Sequence, residues 1–247
     1  MLILALESSA KPASVAVCSD GELLGQYFQN SGLTHSRTLL AMVKSLLANL
    51  DVPLSGIDLV AVSRGPGSFT GVRIGVAAAK GLAWGLDKPV CGVSTLEAMA
   101  YQAQEQGALL CPVMDARRGQ VYNALFELRG REPSDDAGGA IGKDEYPVSG
   151  TGFTLARLCE DRAISLEDLA RELGAQRSPV YLVGDGAALA QGYLASAGIP
   201  CRMAPDLMRC QTAFGVALAA MHAIPITAIE LEPSYLRPSQ AERELLR

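Results

Sequence analysis

A chain of 247 residues is long enough for one large domain or two lobes, and folding removes roughly three quarters of its unfolded surface from water without a disulfide or metal staple. With 49% hydrophobic and 19% charged residues it reads as a folded globular protein, which excludes a disordered chain. The net charge of −5 counts against a protein that holds nucleic acid by itself, because that affinity comes mainly from neutralised phosphates.

In chain order, short apolar runs predict strands at 2–6, 13–19 and 22–29, the last two joined by Asp20-Gly21, a strong hairpin signal. Residues 34–50 carry apolar side chains at spacings of three and four and predict a helix with a wide apolar face. A strand at 59–63 runs into the loop GPGSFTG, which opens a second helix ending near Leu86. A strand at 90–93 and a helix from 95 to about 106 follow. The pattern then restarts with a strand at 109–114 ending in Asp115-Ala116-Arg117-Arg118-Gly119, and an alternating strand at 120–128. Residues 129–152, rich in Gly, Pro and Asp, read as a surface loop or edge hairpin. A helix at 165–173 capped by Ser165, a strand at 180–183, a Gly-Asp-Gly turn, a helix at 187–197 and a last helix at 212–223 precede a charged tail that crosses the surface.

Six singly scattered cysteines without a C-x-x-C pair exclude a zinc ribbon or thioredoxin-like centre, and Cys18, Cys91 and Cys111 read as small hydrophobes in a reducing compartment. Glu7 interrupts the first apolar run and no basic leader precedes it, so no signal peptide is expected. The longest apolar stretch, 72–86, contains Arg73 and Lys80 and is too short to span a bilayer. A cytoplasmic location is the expectation.

Two strand–acid–turn–strand starts, one led into Glu7 and one into Asp115, predict an α/β protein with duplicated β-sheet lobes, an arrangement that resembles the two-lobed actin-like ATPase (ribonuclease-H-like) fold. The lobes are expected at 1–106 and 107–247, with the last helix packing back on the first lobe. In that architecture the two turns close on a nucleotide phosphate chain from opposite sides, small residues letting backbone N–H groups approach and an acid holding magnesium. Glu7-Ser8-Ser9 and Asp115–Gly119 stand where the turns fall, although a strand that simply leaves the core for a polar turn reads the same way. The GPGSFTG loop either binds an anion at a helix N-terminus or forms a tight structural turn, and it is not a P-loop, since no G-K-[ST] follows. The next helix places Gly71, Gly75, Ala79 and Ala83 in one row and Ala77, Gly81 and Gly85 in another. Each helix glycine costs roughly 1 kcal/mol relative to alanine, so either another helix docks there or the row is buried inside one lobe. With only His35 and His222, no H-E-x-x-H is available, and no G-x-S-x-G elbow occurs.

The segments ILALESSAKPASVAV, THSRTLL, VAVSRGPGSFTGVRIGVAAAKGLAW, VMDARRGQVYNALFE and PSYLRP together resemble the TsaB (YeaZ) family of tRNA threonylcarbamoyladenosine biosynthesis proteins, paralogues of TsaD. The resemblance covers nearly the whole chain apart from 129–152 and implies the actin-like fold. It implies a non-catalytic scaffold that activates a TsaD-like enzyme modifying the adenosine beside the tRNA anticodon. The alternative is an ATP-binding small-molecule kinase or ATPase of the same fold. TsaD carries a metal-binding His-x-x-x-His where this sequence has Thr95 and Met99, poor replacements for imidazole, so neither a metal site nor a catalytic residue is carried over. The glycoprotease (peptidase M22-like) label of the superfamily gains no support. The implied partners are a TsaD-like subunit, a TsaE-like ATPase, tRNA only through the complex, and a second copy when alone, with no membrane. The implied partner surface comprises Leu39, Met42, Val43, Leu46, Gly71, Arg73, Ile74, Gly75, Ala78 and Leu82. Glu7, Ser8, Asp115, Arg117, Gly184 and Gly186 would form a vestigial nucleotide site, with no cofactor required and ATP or ADP held weakly or only in the complex.

Overall fold

The N-terminal meander follows from alternating strand runs joined by an Asp-Gly turn. In the computed structural model, which describes residues 1–130, 145–148 and 152–237, Asp20 and Gly21 both take positive φ (49° and 87°), as a two-residue hairpin turn requires. The turn joins β2 (Ala13–Ser19) to β3 (Glu22–Gln29), and β1 (Leu2–Glu7) pairs antiparallel on the other side of β2. β4 (Leu59–Gly65) and β5 (Val90–Ser94) continue the sheet in parallel beyond β1, giving the order β3-β2-β1-β4-β5. The central strands are apolar throughout because both faces are covered. Leu4, Leu6, Val15 and Val17 pack under α1 (His35–Asn49) and α2 (Phe69–Leu86), while Ile3, Ala5, Ala16 and Cys18 face α3 (Thr95–Ala103) and a later helix.

The second sheet repeats this plan with its strands broken. β6 (Leu109–Arg117) takes the place of β1. The run expected as one strand at 120–128 is split at Ala124-Leu125 into β7 (Gln120–Asn123) and β8 (Phe126–Gly130), both antiparallel to β6. Their outer neighbour is split as well: β10 (Phe153–Arg157) lies on β8 and β11 (Arg162–Ser165) on β7. β12 (Val180–Val183) and β13 (Cys201–Met203) add in parallel on the far side of β6. β9 (Glu145–Val148) is an extra edge strand on β10, and residues 131–144 and 149–151 of the predicted loop lie outside the described residues. With split strands counted as one, the order and directions match those of the first sheet, which is the duplicated two-lobed actin-like ATPase (ribonuclease-H-like) architecture.

α4 (Leu166–Gly174) begins as predicted, with Ser165 Oγ accepting from Asp168 N (3.0 Å). It and α5 (Ala187–Ser196) cover the outer face of the second sheet, α6 (Asp206–Arg209) is a single turn, and α7 (Ala213–Ala220) returns to the first sheet. Ala213 N donates to Ser14 Oγ (3.1 Å) at the start of α7. Gly215 lets α7 approach α3, because a Cβ there would stand 2.2 Å from Ala98 O. α3 and α7 thus lie in one core shared by both sheets, with Ile3 and Val93 on one side and Leu110 and Val183 on the other. Cys18, Cys91 and Cys111 are core residues, as expected, and burial pushes their thiols up to about 12, 11 and 12. The tail then crosses the first lobe. Ile226 and Val90 exchange two backbone hydrogen bonds of 2.9 Å, and Leu231, only 1% exposed, fills a core position. No helix among the described residues is long and apolar enough to cross a membrane.

Candidate functional site between the lobes

The first turn is built from side chains that satisfy their own backbone. Glu7 ends β1, and its Oε1 accepts from Ser9 N (2.6 Å). Its Oε2 is buried with no hydrogen-bond partner among the described residues. Burial pushes the Glu7 carboxyl above its ordinary range, against the opposing pull of Ser9 and Ser63. Ser8 Oγ donates to Gly71 O (2.9 Å), and Ser68 N donates to Ser9 O (2.6 Å). A Cβ at Gly67 would stand 2.4 Å from Ser9 O, one at Gly71 2.1 Å from Ser8 O, and one at Gly75 2.3 Å from Ser8 Oγ. Gly67, Gly71 and Gly75 therefore admit Ser8 and Ser9 at close range, and Ser68 caps the helix by accepting from Gly71 N (3.3 Å). Of the two readings of this loop, the tight structural turn accounts for its glycines. Gly81 and Gly85 of the other row have no neighbour within 4 Å and are exposed.

The second turn faces the first. Asp115 Oδ1 accepts from Arg117 N (2.7 Å), and the Arg117 guanidinium lies 3.2 Å from its Oδ2. Arg117, Arg118 and Gly119 all take left-handed φ (66°, 58° and 70°), a conformation that costs a non-glycine residue roughly 1–2 kcal/mol. Leu166 N pins the end of the turn by donating to Gly119 O (3.1 Å). Gly184 and Gly186 bring a third turn against β6: a Cβ at Gly184 would meet Val113 O at 2.1 Å, and one at Gly186 would meet Met114 C at 2.8 Å. Asp185 between them opens to the cleft and accepts from Gln211 Nε2 (3.1 Å). Lost hydration raises its carboxyl, Gln211 opposes this, and the charge of Asp115 adds to the rise.

These turns enclose a cleft of about 760 Å³ lined by Ser9, Lys11, Asp115, Arg117, Asp185 and, from the tail, Arg237. Of the six residues predicted for a nucleotide site, Asp115 and Arg117 line it, whereas Glu7, Ser8, Gly184 and Gly186 stand behind its wall and shape it. Asp185, Tyr235 and Arg237 were not singled out from sequence. Asp185 stood inside the Gly-Asp-Gly turn, and nothing local in the tail points to a cleft. Among the described residues no group of three or more His, Cys, Asp or Glu side chains is arranged to hold a metal.

The family model of TsaD, tRNA N6-adenosine threonylcarbamoyltransferase, matches residues 29–229. The tRNA threonylcarbamoyladenosine biosynthesis protein TsaB of Haemophilus influenzae is 32% identical over 242 residues, which cover 96% of this chain and 94% of that protein. The chain belongs to the TsaB (YeaZ) family. The TsaB proteins of Bacillus subtilis and Escherichia coli are 39% and 41% identical, but over 129 residues, so the chain matches about half the length of each (56% and 55%). The solved structure of YeaZ from Pseudomonas aeruginosa superposes with a TM-score of 0.72 at 27% identity, covering 95% of this chain and 99% of that one.

The structure divides the ten residues expected at a partner surface in two. Leu39, Met42, Val43 and Leu46 are buried on the first sheet, and Gly71 and Gly75 are buried against Ser8. These six are interior positions of the single chain and do not form a surface; the wide apolar face of α1 is its core stripe. Arg73 is exposed, while Ile74, Ala78 and Leu82 are half-buried at the rim of the core. Trp84 (69%) on α2 and Leu40 (50%) on α1 are exposed. Thr95 and Met99 are both buried, and Thr95 Oγ1 has no hydrogen-bond partner among the described residues.

Proposed function

We propose that this chain serves tRNA threonylcarbamoyladenosine biosynthesis as a non-catalytic scaffold that activates a TsaD-like enzyme. The observation that carries the reading is the state of the first turn. Ser9 N–H is spent on Glu7 and Ser68 N–H on Ser9 O, so two donors that could face a phosphate are used within the protein. Thr95 and Met99, buried in the core, supply no imidazole pair, and near-full-length similarity to a TsaB protein supports the pathway. In this reading Arg73, Ile74, Ala78 and Leu82 contribute to the face that meets the TsaD-like subunit. A TsaE-like ATPase joins the pair, tRNA is reached only through the complex, and the same face pairs two copies of the isolated chain. No cofactor is required, and ATP or ADP binds weakly or only in the complex.

Sedimentation of the chain with a TsaD-like subunit from the same organism tests the association. A one-to-one complex should form, and Ile74→Glu or Leu82→Glu should weaken it by on the order of tenfold or more; no complex at micromolar concentration would overturn the reading. The cleft with Asp115 and Asp185 at its wall favours a second reading, a small-molecule kinase or ATPase of this fold. Calorimetry decides it: tight magnesium-ATP binding that Asp115→Ala abolishes would support an enzyme, and no heat would exclude it.

A further inference from the structure

The segment 234–237 runs along the mouth of the cleft, and its contacts belong to both lobes. Ser234 N donates to Arg64 O (2.6 Å) at the end of β4. Gly65 permits the approach, because a Cβ there would stand 2.3 Å from Ser234 O. Tyr235 stacks on Phe69 in the first turn of α2, with ring centroids 4.5 Å apart. Arg73 Nε donates to the Tyr235 hydroxyl (2.8 Å), and the Arg73 guanidinium lies 3.8 Å from the Phe69 centroid. Two residues on, Arg237 Nη1 donates to Ala116 O (2.9 Å) in the opposite lobe. Ala116 immediately precedes the left-handed pair Arg117-Arg118, so this one hydrogen bond holds the carbonyl at the base of the strained turn.

We propose that residues 234–237 form a latch that holds the cleft closed and orders the 115–119 turn, with Arg73, one helical turn beyond Phe69 on the same face of α2, setting its tension. The two ends are unequal. The first-lobe end has a backbone hydrogen bond, an aromatic stack and a cation over the ring, whereas among the described residues the second-lobe end is held by one part-buried hydrogen bond to a neutral oxygen. Opening therefore starts with Arg237 leaving Ala116 while Tyr235 stays on Phe69. A group that draws Arg73 away from Tyr235 loosens the strap and, through it, a turn with which Arg73 shares no hydrogen bond or ion pair among the described residues.

Hydrogen exchange by mass spectrometry on the full chain tests this. Arg237→Ala should speed exchange across residues 115–119 by on the order of tenfold and leave β1 and β2 unchanged. Arg73→Ala should raise exchange in the same turn several-fold, and the double variant should exceed Arg237→Ala alone by little, because both act through one strap. Exchange at 115–119 unchanged in either single variant overturns the latch. Should Arg237→Ala fail to fold, Arg237→Lys and Tyr235→Phe carry the same comparison, with faster exchange supporting the latch and unchanged exchange refuting it.

Discussion

Glu7 ends β1 at the first turn of the cleft, and its surroundings disfavour a charge. One carboxylate oxygen is held by Ser9 N, the other is buried without a hydrogen bond among the described residues, and burial raises the carboxyl above its ordinary value of 4.5. The sign of the consequence is fixed by linkage. Between 4.5 and the raised folded value, the folded state keeps a proton that the unfolded state has released. Stability from protonated Glu7 is therefore complete below about 4.5 and is lost as pH climbs through the folded value. Glu7→Gln keeps the acceptor for Ser9 N and has no charge to bury. It should melt higher than the parent near neutral pH, the two curves converging on acidification; parallel melting curves across that range would refute the assignment. At this scale the acid–turn pairing was legible from residue types and spacing. The burial of Glu7 was not, because it depends on segments distant in sequence that close around it, of which Ser63 lies about sixty residues away.

α2 separates two kinds of helix glycine that look alike in sequence. Gly71 faces the backbone of Ser8, so Gly71→Ala would push a Cβ to 2.1 Å from a carbonyl oxygen and should cost about 1–3 kcal/mol of unfolding free energy. Gly81 faces open space, so Gly81→Ala removes only the glycine penalty and should stabilise by about 1 kcal/mol. Urea unfolding of the two variants checks both signs, and equal effects would contradict the assignment of rows. The four-residue spacing signalled that something approaches the helix. It did not say that a strand turn, and not a second helix, fills the first row. The same limit applies at α1. Periodicity reports a wide apolar face, but Leu39, Met42, Val43 and Leu46 serve the chain's own sheet, and only the opposing strands reveal that.

At the scale of the molecule, two copies of one sheet plan are held together by a core and by ionic clasps. Arg157 of β10, 12% exposed, reaches Glu97 of α3 at 2.7 Å and Asp161 at 2.7 Å, and lies 4.6 Å from the Phe126 ring centroid. Ser94 Oγ donates to Asp161 Oδ2 (2.5 Å), so the cluster ties the start of α3 to the second sheet. Arg157→Ala would strand Glu97 and Asp161 in a largely buried place and should cost about 3–5 kcal/mol, read from denaturant unfolding; a loss below about 1 kcal/mol would mean the clasp behaves as a surface pair. The duplicated acid–turn start and the Asp-Gly hairpin were enough to read the fold. The rest of the second sheet was less legible because β10, β11 and β13 run only five, four and three residues, too short for a period, and because strands 120–130 and 153–165 each break. The tail's part in the cleft was illegible for a different reason: it is made of contacts between residues some 120 to 170 positions apart. Quantitative measurement of threonylcarbamoyl transfer to tRNA by a TsaD-like subunit, in the presence and absence of this chain, tests the scaffold role most directly. The chain alone should transfer nothing, and its addition should raise the partner's rate severalfold or more; modification that proceeds equally well without it would contradict that role.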